Sequence, residues 1–335
     1  MDPTLERLVL HSSCRSENGN YIEGQECALD DQAVTKLLTQ LGTALAPTVL
    51  HPARTVGYGG FRLSIEGAYT SIAHDSEYWK KGTRGPTEAQ SGLISGENPD
   101  PSSGIQVYSA NLRKGFGFGL ELGANAGIVP ETSLMTIGAD LRMALLEGFR
   151  TGVAGYLPDV AVGGGVRTVP GSSEFDLTIA SADVEISKPF TLAGSSVLTP
   201  WVGLQQLWIF GDSSVIDLTP GTDPLSQCNY VGDHLPGTTD PNDPNATSAN
   251  TGQPYCTGGG TDTDFNNNAV FRDVRTERRR IVIGLSLQHE TAFISGVVMT
   301  DLGKPADAQS SARDKQDLSG MPSQWTFAGE IGLSF

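Results

Sequence analysis

The chain closes on Trp325-Thr326-Phe327-Ala328-Gly329-Glu330-Ile331-Gly332-Leu333-Ser334-Phe335. Every odd position but Gly329 is a large apolar residue, and every even position is small or polar. Successive strand side chains point to opposite faces, so this stretch makes a strand with one apolar and one small, polar face. Upstream, Phe61, Leu63, Ile65 and Tyr69 alternate with Arg62, Ser64, Glu66 and Thr70. Leu120, Leu122 and Ala124 alternate with Glu121, Gly123 and Asn125, and Met135 to Met143 alternate with Thr136, Gly138, Asp140 and Arg142. Val160, Val162 and Val166 face away from Gly163, Gly165 and Arg167. Leu198, Val202, Leu204, Trp208 and Phe210 share a face, and Ile281, Ile283, Leu285 and Leu287 oppose Arg280, Gly284 and Ser286.

Three further segments are less regular. Residues 104–113 alternate weakly, and residues 291–302 are apolar on both faces. Residues 174–187 change phase between Ile179 and Val184, which a β-bulge would explain. Counting them predicts about ten strands in an all-β, antiparallel up-and-down barrel.

Strand length and the character of the polar face argue for a transmembrane barrel over a soluble one. The regular segments reach the 9–11 residues that cross a bilayer, beyond the usual 5–6 of soluble strands. Glycines at 117, 119, 123, 127, 138, 163, 165, 284 and 332 crowd the polar face. A solvated face would carry larger polar residues, since glycine weakens a strand interior. Arg62, Glu66, Glu121, Asp140, Arg142, Arg167, Arg280 and Glu330 are then expected to line the lumen as an ion-pair network. Connections sort accordingly, with those at 74–103, 128–131, 168–173, 211–275 and 303–322 on one end and the short turns on the other. Aromatic girdles would include Phe175 and Trp325 at the outer interface and Phe116, Phe118 and Phe293 at the inner one.

Together the closing strand and the strand-and-loop layout of residues 58–335 resemble bacterial outer-membrane β-barrel proteins. In such proteins Trp325, Phe327, Ile331, Leu333 and Phe335 would form the C-terminal signal recognised by the barrel-assembly machinery. The resemblance implies a Gram-negative outer membrane, with outer-membrane lipid as the surrounding partner. With Phe335 in the periplasm, residues 1–52 are expected beside it, so that both termini are periplasmic. The start Met1-Asp2-Pro3-Thr4 is polar, which for an exported chain implies a processed or recombinant beginning.

Composition supports an exported β protein. The chain of 335 residues has 41 glycines, 19 prolines and only 18 % charged residues. A net charge of −16 lacks the basic face that nucleic-acid binding requires. No apolar run approaches the ~20 residues of a transmembrane helix. Cys14 with Cys27, and Cys228 with Cys256, have neither zinc spacing nor companion histidines, and read as two disulfides of an oxidising compartment over free thiols.

Before the first strand, Asp30-Asp31 offers an N-cap, Val34, Leu37, Leu38, Leu41 and Leu45 follow at helical spacing, and Pro47 stops the pattern. This short amphipathic helix either packs on the body of the protein, or plugs the barrel mouth or lies on the membrane. The 211–275 connection is rich in Asp, Asn, Gly, Pro and Thr. Within it Asp262, Asp264 and Asn266 set oxygen ligands at alternate positions, a calcium-loop spacing without the later Glu. No other cofactor is expected. There is no Gly-x-Ser-x-Gly elbow, and the histidines are dispersed.

The expected function is non-enzymatic: a narrow pore for small solutes, or an anchored scaffold presenting the 211–275 loop. A protein partner would meet that loop or the N-terminal segment. One alternative is a protease or lipid-modifying enzyme at the outer rim, using His74-Asp75 or Asp233-His234. Another is a secreted, soluble β-sandwich binding protein.

Overall fold

The computed structural model describes residues 1–9, 28–85, 96–148, 157–192, 195–218, 228–230, 254–256, 268–308 and 316–335. Helix α1 (Asp31–Leu45) precedes strands β1 (Phe61–Ser71) and β2 (Gly104–Gly115), with the short helix α2 (Glu77–Lys81) in their connection. Strands β3 (Leu120–Ile128), β4 (Met135–Leu146), β5 (Asp159–Val169), β6 (Phe175–Ser187) and β7 (Ser196–Ser213) follow. Then come β8 (Val274–His289), β9 (Ala292–Asp301) and β10 (Trp325–Ser334).

Each of these ten strands pairs antiparallel with its sequence neighbours, and β10 closes on β1. Closure runs in register from Arg62↔Ser334 to Thr70↔Thr326. It removes the open edges that would otherwise leave a row of unpaired main-chain groups. Beyond Arg62↔Ser334, Phe61 and Phe335 exchange main-chain hydrogen bonds of 2.9 and 2.8 Å.

The apolar faces point outward. Leu63, Ile65, Leu122, Ile137, Leu141, Ile283, Leu285, Phe327 and Ile331 are all exposed on the outer wall. The connections 116–119, 147–158, 188–195 and 290–291 share one end of the barrel with Phe335. The opposite end carries 72–103, 129–134, 170–174, 214–273 and 302–324, so the longest loop begins and ends inside its expected limits of 211 and 275.

Three sequence expectations need correction. No bulge interrupts residues 174–187: β5 and β6 pair continuously from Asp159↔Ser187 to Val169↔Leu177. Phe175, Leu177 and Ile179 point inward and are buried, whereas Val184 and Ile186 point outward. The apolar side changes because the interior itself changes, from a hydrocarbon core at the loop end to a polar network at the turn end. A register shift occurs instead between Ala144 and Leu146 of β4. Phe175 and Phe293 are inward and buried, so neither joins a girdle.

The third correction concerns the N-terminus. The Met1 amine donates to the Glu131 carbonyl at 2.9 Å, and Asp2 accepts from Ser133 N at 2.6 Å. Both partners lie in the β3–β4 connection, at the end opposite Phe335. The termini are therefore at opposite ends of the barrel. The chain crosses from one to the other through the lumen, so residues 1–52 are not a separate segment beside the C-terminus.

Candidate functional site

The site is the lumen and the segment that fills it. Asp30 caps α1 by accepting from Ala33 N at 2.9 Å. Val34, Leu37, Leu38, Leu41 and Leu45 then form one stripe of the helix, all buried. They join Ile105, Val107, Leu177, Ile179, Leu207, Ile209, Val274 and Met299 of the wall in one apolar core. The rest of the helix is narrow and mostly self-satisfied, because Thr35, Thr39 and Thr43 donate to carbonyls four residues earlier at 2.8, 2.6 and 2.8 Å. Gly42 admits the wall closely: a Cβ there would stand 2.6 Å from Ile209 Cγ2. Gln40 accepts from Trp79 Nε1 at 2.6 Å and from Ala73 N at 3.1 Å. From Leu37 onward the helix is buried on every side, packed in hydrocarbon in the loop-end half of the lumen.

Below Leu45 the lumen becomes ionic. Arg113 pairs with Asp140 at 2.9 Å and Glu121 at 3.1 Å. Arg142 pairs with Glu185 at 2.7 Å and Glu121 at 3.6 Å, and also donates to the Pro52 carbonyl. Arg62 pairs with Glu330 at 3.1 Å over the Phe293 ring, and Glu330 accepts from Ser64 at 2.9 Å. Glu66 accepts from Thr48 at 2.5 Å and Asn111 at 2.9 Å, while Glu121 accepts from Val56 N at 2.8 Å. Arg167 donates to Asn125 and to the Leu45 and Ala46 carbonyls, at 3.1, 3.4 and 3.2 Å. Arg280 donates to Gln205 and to the Thr43 and Pro47 carbonyls, the last two at 3.3 and 3.2 Å.

All eight charges singled out in the sequence therefore face the lumen, and most of them touch the threaded segment or its direct partners. Buried charges are costly unless each has a partner, and here the partners lie on different strands or on the segment itself. Sequence reasoning missed Arg113, Glu185 and Gln205. Arg113 falls at the end of the weakly alternating 104–113 stretch. Glu185 sits where the phase changes. Gln205 is uncharged, although Val202 and Leu204 on the outer face would have placed it inward.

The remaining mid-lumen void is about 30 Å³, bordered by Thr48, His51, Asp140, Arg142, Asp183 and Gln205. That is room for no more than a few waters. A wider polar vestibule of about 320 Å³ opens at the turn end, beside Arg54, Thr55, Arg62, Glu147 and Ser286. There Glu147 accepts from Thr55 at 2.8 Å, and burial raises its carboxyl above the ordinary range.

The other singled-out residues stand apart. His74 Nε2 is 3.5 Å from the Asp75 carboxylate at the loop end. Asp233 and His234 lie outside the described residues, as do Cys14, Cys27 and the Asp262, Asp264 and Asn266 positions. Among the described residues no group of three such ligands is placed to hold a metal ion. Cys228–Tyr230 and Pro254–Cys256 form an antiparallel ribbon whose register sets Cys228 opposite Cys256. Trp325, Phe327, Ile331, Leu333 and Phe335 are exposed on the outer face of β10 and its end.

No family model matches the chain, and no curated protein matches it. Solved structures of bacterial outer-membrane barrels do. The transport unit of the autotransporter AIDA-I from Escherichia coli is 9 % identical, over 91 % of this chain and 99 % of that one, with a TM-score of 0.33. The translocator domain of the autotransporter NalP from Neisseria meningitidis is 9 % identical, over 83 % and 88 %, with a TM-score of 0.31. Ail, the attachment invasion locus protein of Yersinia pestis, is 10 % identical over 83 % and 99 %, with a TM-score of 0.27. The likeness is one of fold. None of their activities is carried over, and the site is read from its own geometry.

Proposed function

We propose that the protein is a non-enzymatic barrel of a bacterial outer membrane that holds its own N-terminal segment through its lumen. It acts as an anchored scaffold that presents, at the outer face, the barrel end carrying Met1 and the 214–273 connection. One observation carries this reading: Met1 is bound at the loop end while Phe335 closes the turn end, and α1 fills the space between. The wall of exposed Leu, Ile and Phe suits a lipid surround, since soluble monomers rarely expose apolar patches of more than a few hundred Å². Outer-membrane lipid and, during biogenesis, the barrel-assembly machinery are the partners this reading implies.

The pore reading is disfavoured by the apolar packing around α1 and by a mid-lumen void of only about 30 Å³. In the scaffold reading a protein partner meets the acidic loops or the displayed N-terminal stretch.

Display is tested on intact cells carrying the full chain with an epitope inserted after residue 9. Antibody binding without permeabilisation is expected there, whereas an epitope in the 147–158 turn should require permeabilisation. The reverse pattern would overturn the orientation. The purified full chain should also be silent in planar bilayers, and steady conductance would reinstate the pore.

A further inference from the structure

We propose that the lumen wall is a seat for the C-terminal end of a helix, gripped through main-chain carbonyls and therefore tolerant of the sequence seated in it. This rests on the closed-lumen part of the proposed function, and not on which side of the membrane the segment reaches.

Arg167 on β5 and Arg280 on β8 are almost fully buried. Every hydrogen bond that either makes among the described residues goes to a neutral group. Arg167 reaches Asn125 and the Leu45 and Ala46 carbonyls. Arg280 reaches Gln205 and the Thr43 and Pro47 carbonyls. Gln205 itself donates to the Pro47 carbonyl at 3.0 Å. Two cations taken from water with neutral partners alone would be expensive. The Glu66 and Asp140 carboxylates near Arg167, and Asp301 near Arg280, offset part of that cost, and direct hydrogen-bond partners come from the end of α1, where the last turn leaves carbonyls without helical partners and the macrodipole is negative.

The helix supplies nothing for that purpose itself. It has no basic residue in its last turn, and its C-cap is Ala46 in an extended conformation rather than a left-handed glycine. Side chains of the gripped residues stay out of the clasp. The Thr43 hydroxyl bonds back to the Thr39 carbonyl, and Ala44, Leu45, Ala46 and Pro47 have no polar side-chain atom. Register is then set by the apolar stripe above and by Pro47, which stops the helix. The ligand class is an amphipathic helical polypeptide that ends at the clasp. In the structure it is this chain's own segment, and another helix with the same stripe would seat in its place.

The test uses the full chain with a site-specific protease sequence placed in the Gly57–Gly60 turn, where Tyr58 is 89 % exposed. After folding and cutting, the half-life of the N-terminal fragment on the barrel is followed in detergent. Changing Thr43→Ser, Ala44→Ser and Ala46→Ser together should leave it within about twofold, because the carbonyls remain. Arg280→Met should shorten it by about tenfold or more, and Arg280→Lys by less, since losing one side of a buried charged contact acts on the off-rate. A labelled synthetic helix keeping Val34, Leu37, Leu38, Leu41, Leu45 and Pro47 but otherwise altered should displace the cut fragment. A parent-like half-life in Arg280→Met, serine variants as short-lived as Arg280→Met, or failure of the altered helix to compete would each overturn the proposal. Heat-modifiable migration on gels checks that each barrel is folded, and Arg167→Met carries the test if Arg280→Met is not. An epitope hidden from outside would sink the display reading while leaving these half-lives unaffected.

Discussion

At the scale of single residues, burial and partner count decide what each lumen charge is worth. Arg142 is 2 % exposed and touches Glu121, Glu185 and the Pro52 carbonyl. Arg142→Met removes the cation and leaves two buried carboxylates undercompensated, so a loss of about 3–5 kcal/mol is expected. Equilibrium urea unfolding in lipid vesicles measures it, and a change under about 1 kcal/mol would show the pairs to be dispensable. Size matters as sharply as charge. Gly284 faces the lumen where the Trp201 ring crosses it, and a Cβ would stand 2.2 Å from that ring. Gly284→Val is expected to lower the temperature at which the folded band is lost on gels, whereas Gly67→Val on the outer wall, with Tyr108 at 3.4 Å, should shift it far less. Equal shifts would mean that the crowding at Trp201 relaxes freely.

At the scale of elements, the apolar contents of the lumen explain a strand that alternation misread. β6 carries Leu177 and Ile179 inward because α1 lies against them, and Val184 and Ile186 outward because the interior opposite Glu185 is ionic. Ile179→Ala removes buried hydrocarbon from the seal and should cost about 2–5 kcal/mol, against under about 1 kcal/mol for a polar change at an exposed loop position. Gly42→Val acts from the other side of the same contact. Its side chain would meet Ile209, so the helix should unseat and full-chain barrels that were silent should conduct in planar bilayers. A silent Gly42→Val barrel would show that Ile209 can yield.

At the scale of the whole molecule, how much was legible follows from what alternation can carry. Strand count, closure by the final strand and the inward direction of Arg62, Glu66, Glu121, Asp140, Arg142, Arg167, Arg280 and Glu330 all follow from a period of two. The helix at Asp31–Leu45 was legible as a helix from its cap, its stripe and Pro47. Its destination was not, because a narrow stripe suits a surface, a mouth or a lumen equally. Which end of the barrel Met1 reaches was misjudged for the same reason. That position depends on contacts such as Met1 to Glu131, 130 residues apart with three strands between them.

The closing strand from Trp325 therefore settled the architecture by itself, since a side-chain period of two and strand length are local properties of sequence. Only the tertiary structure decided that the lumen is occupied, and by what. An enclosed volume exists only after all ten strands have closed. Whether it is filled by water or by the chain's own helix is then decided by shape and by partners for buried charges. Arg167 and Arg280 find those partners at a helix end more than a hundred residues away in sequence, where no periodicity could point.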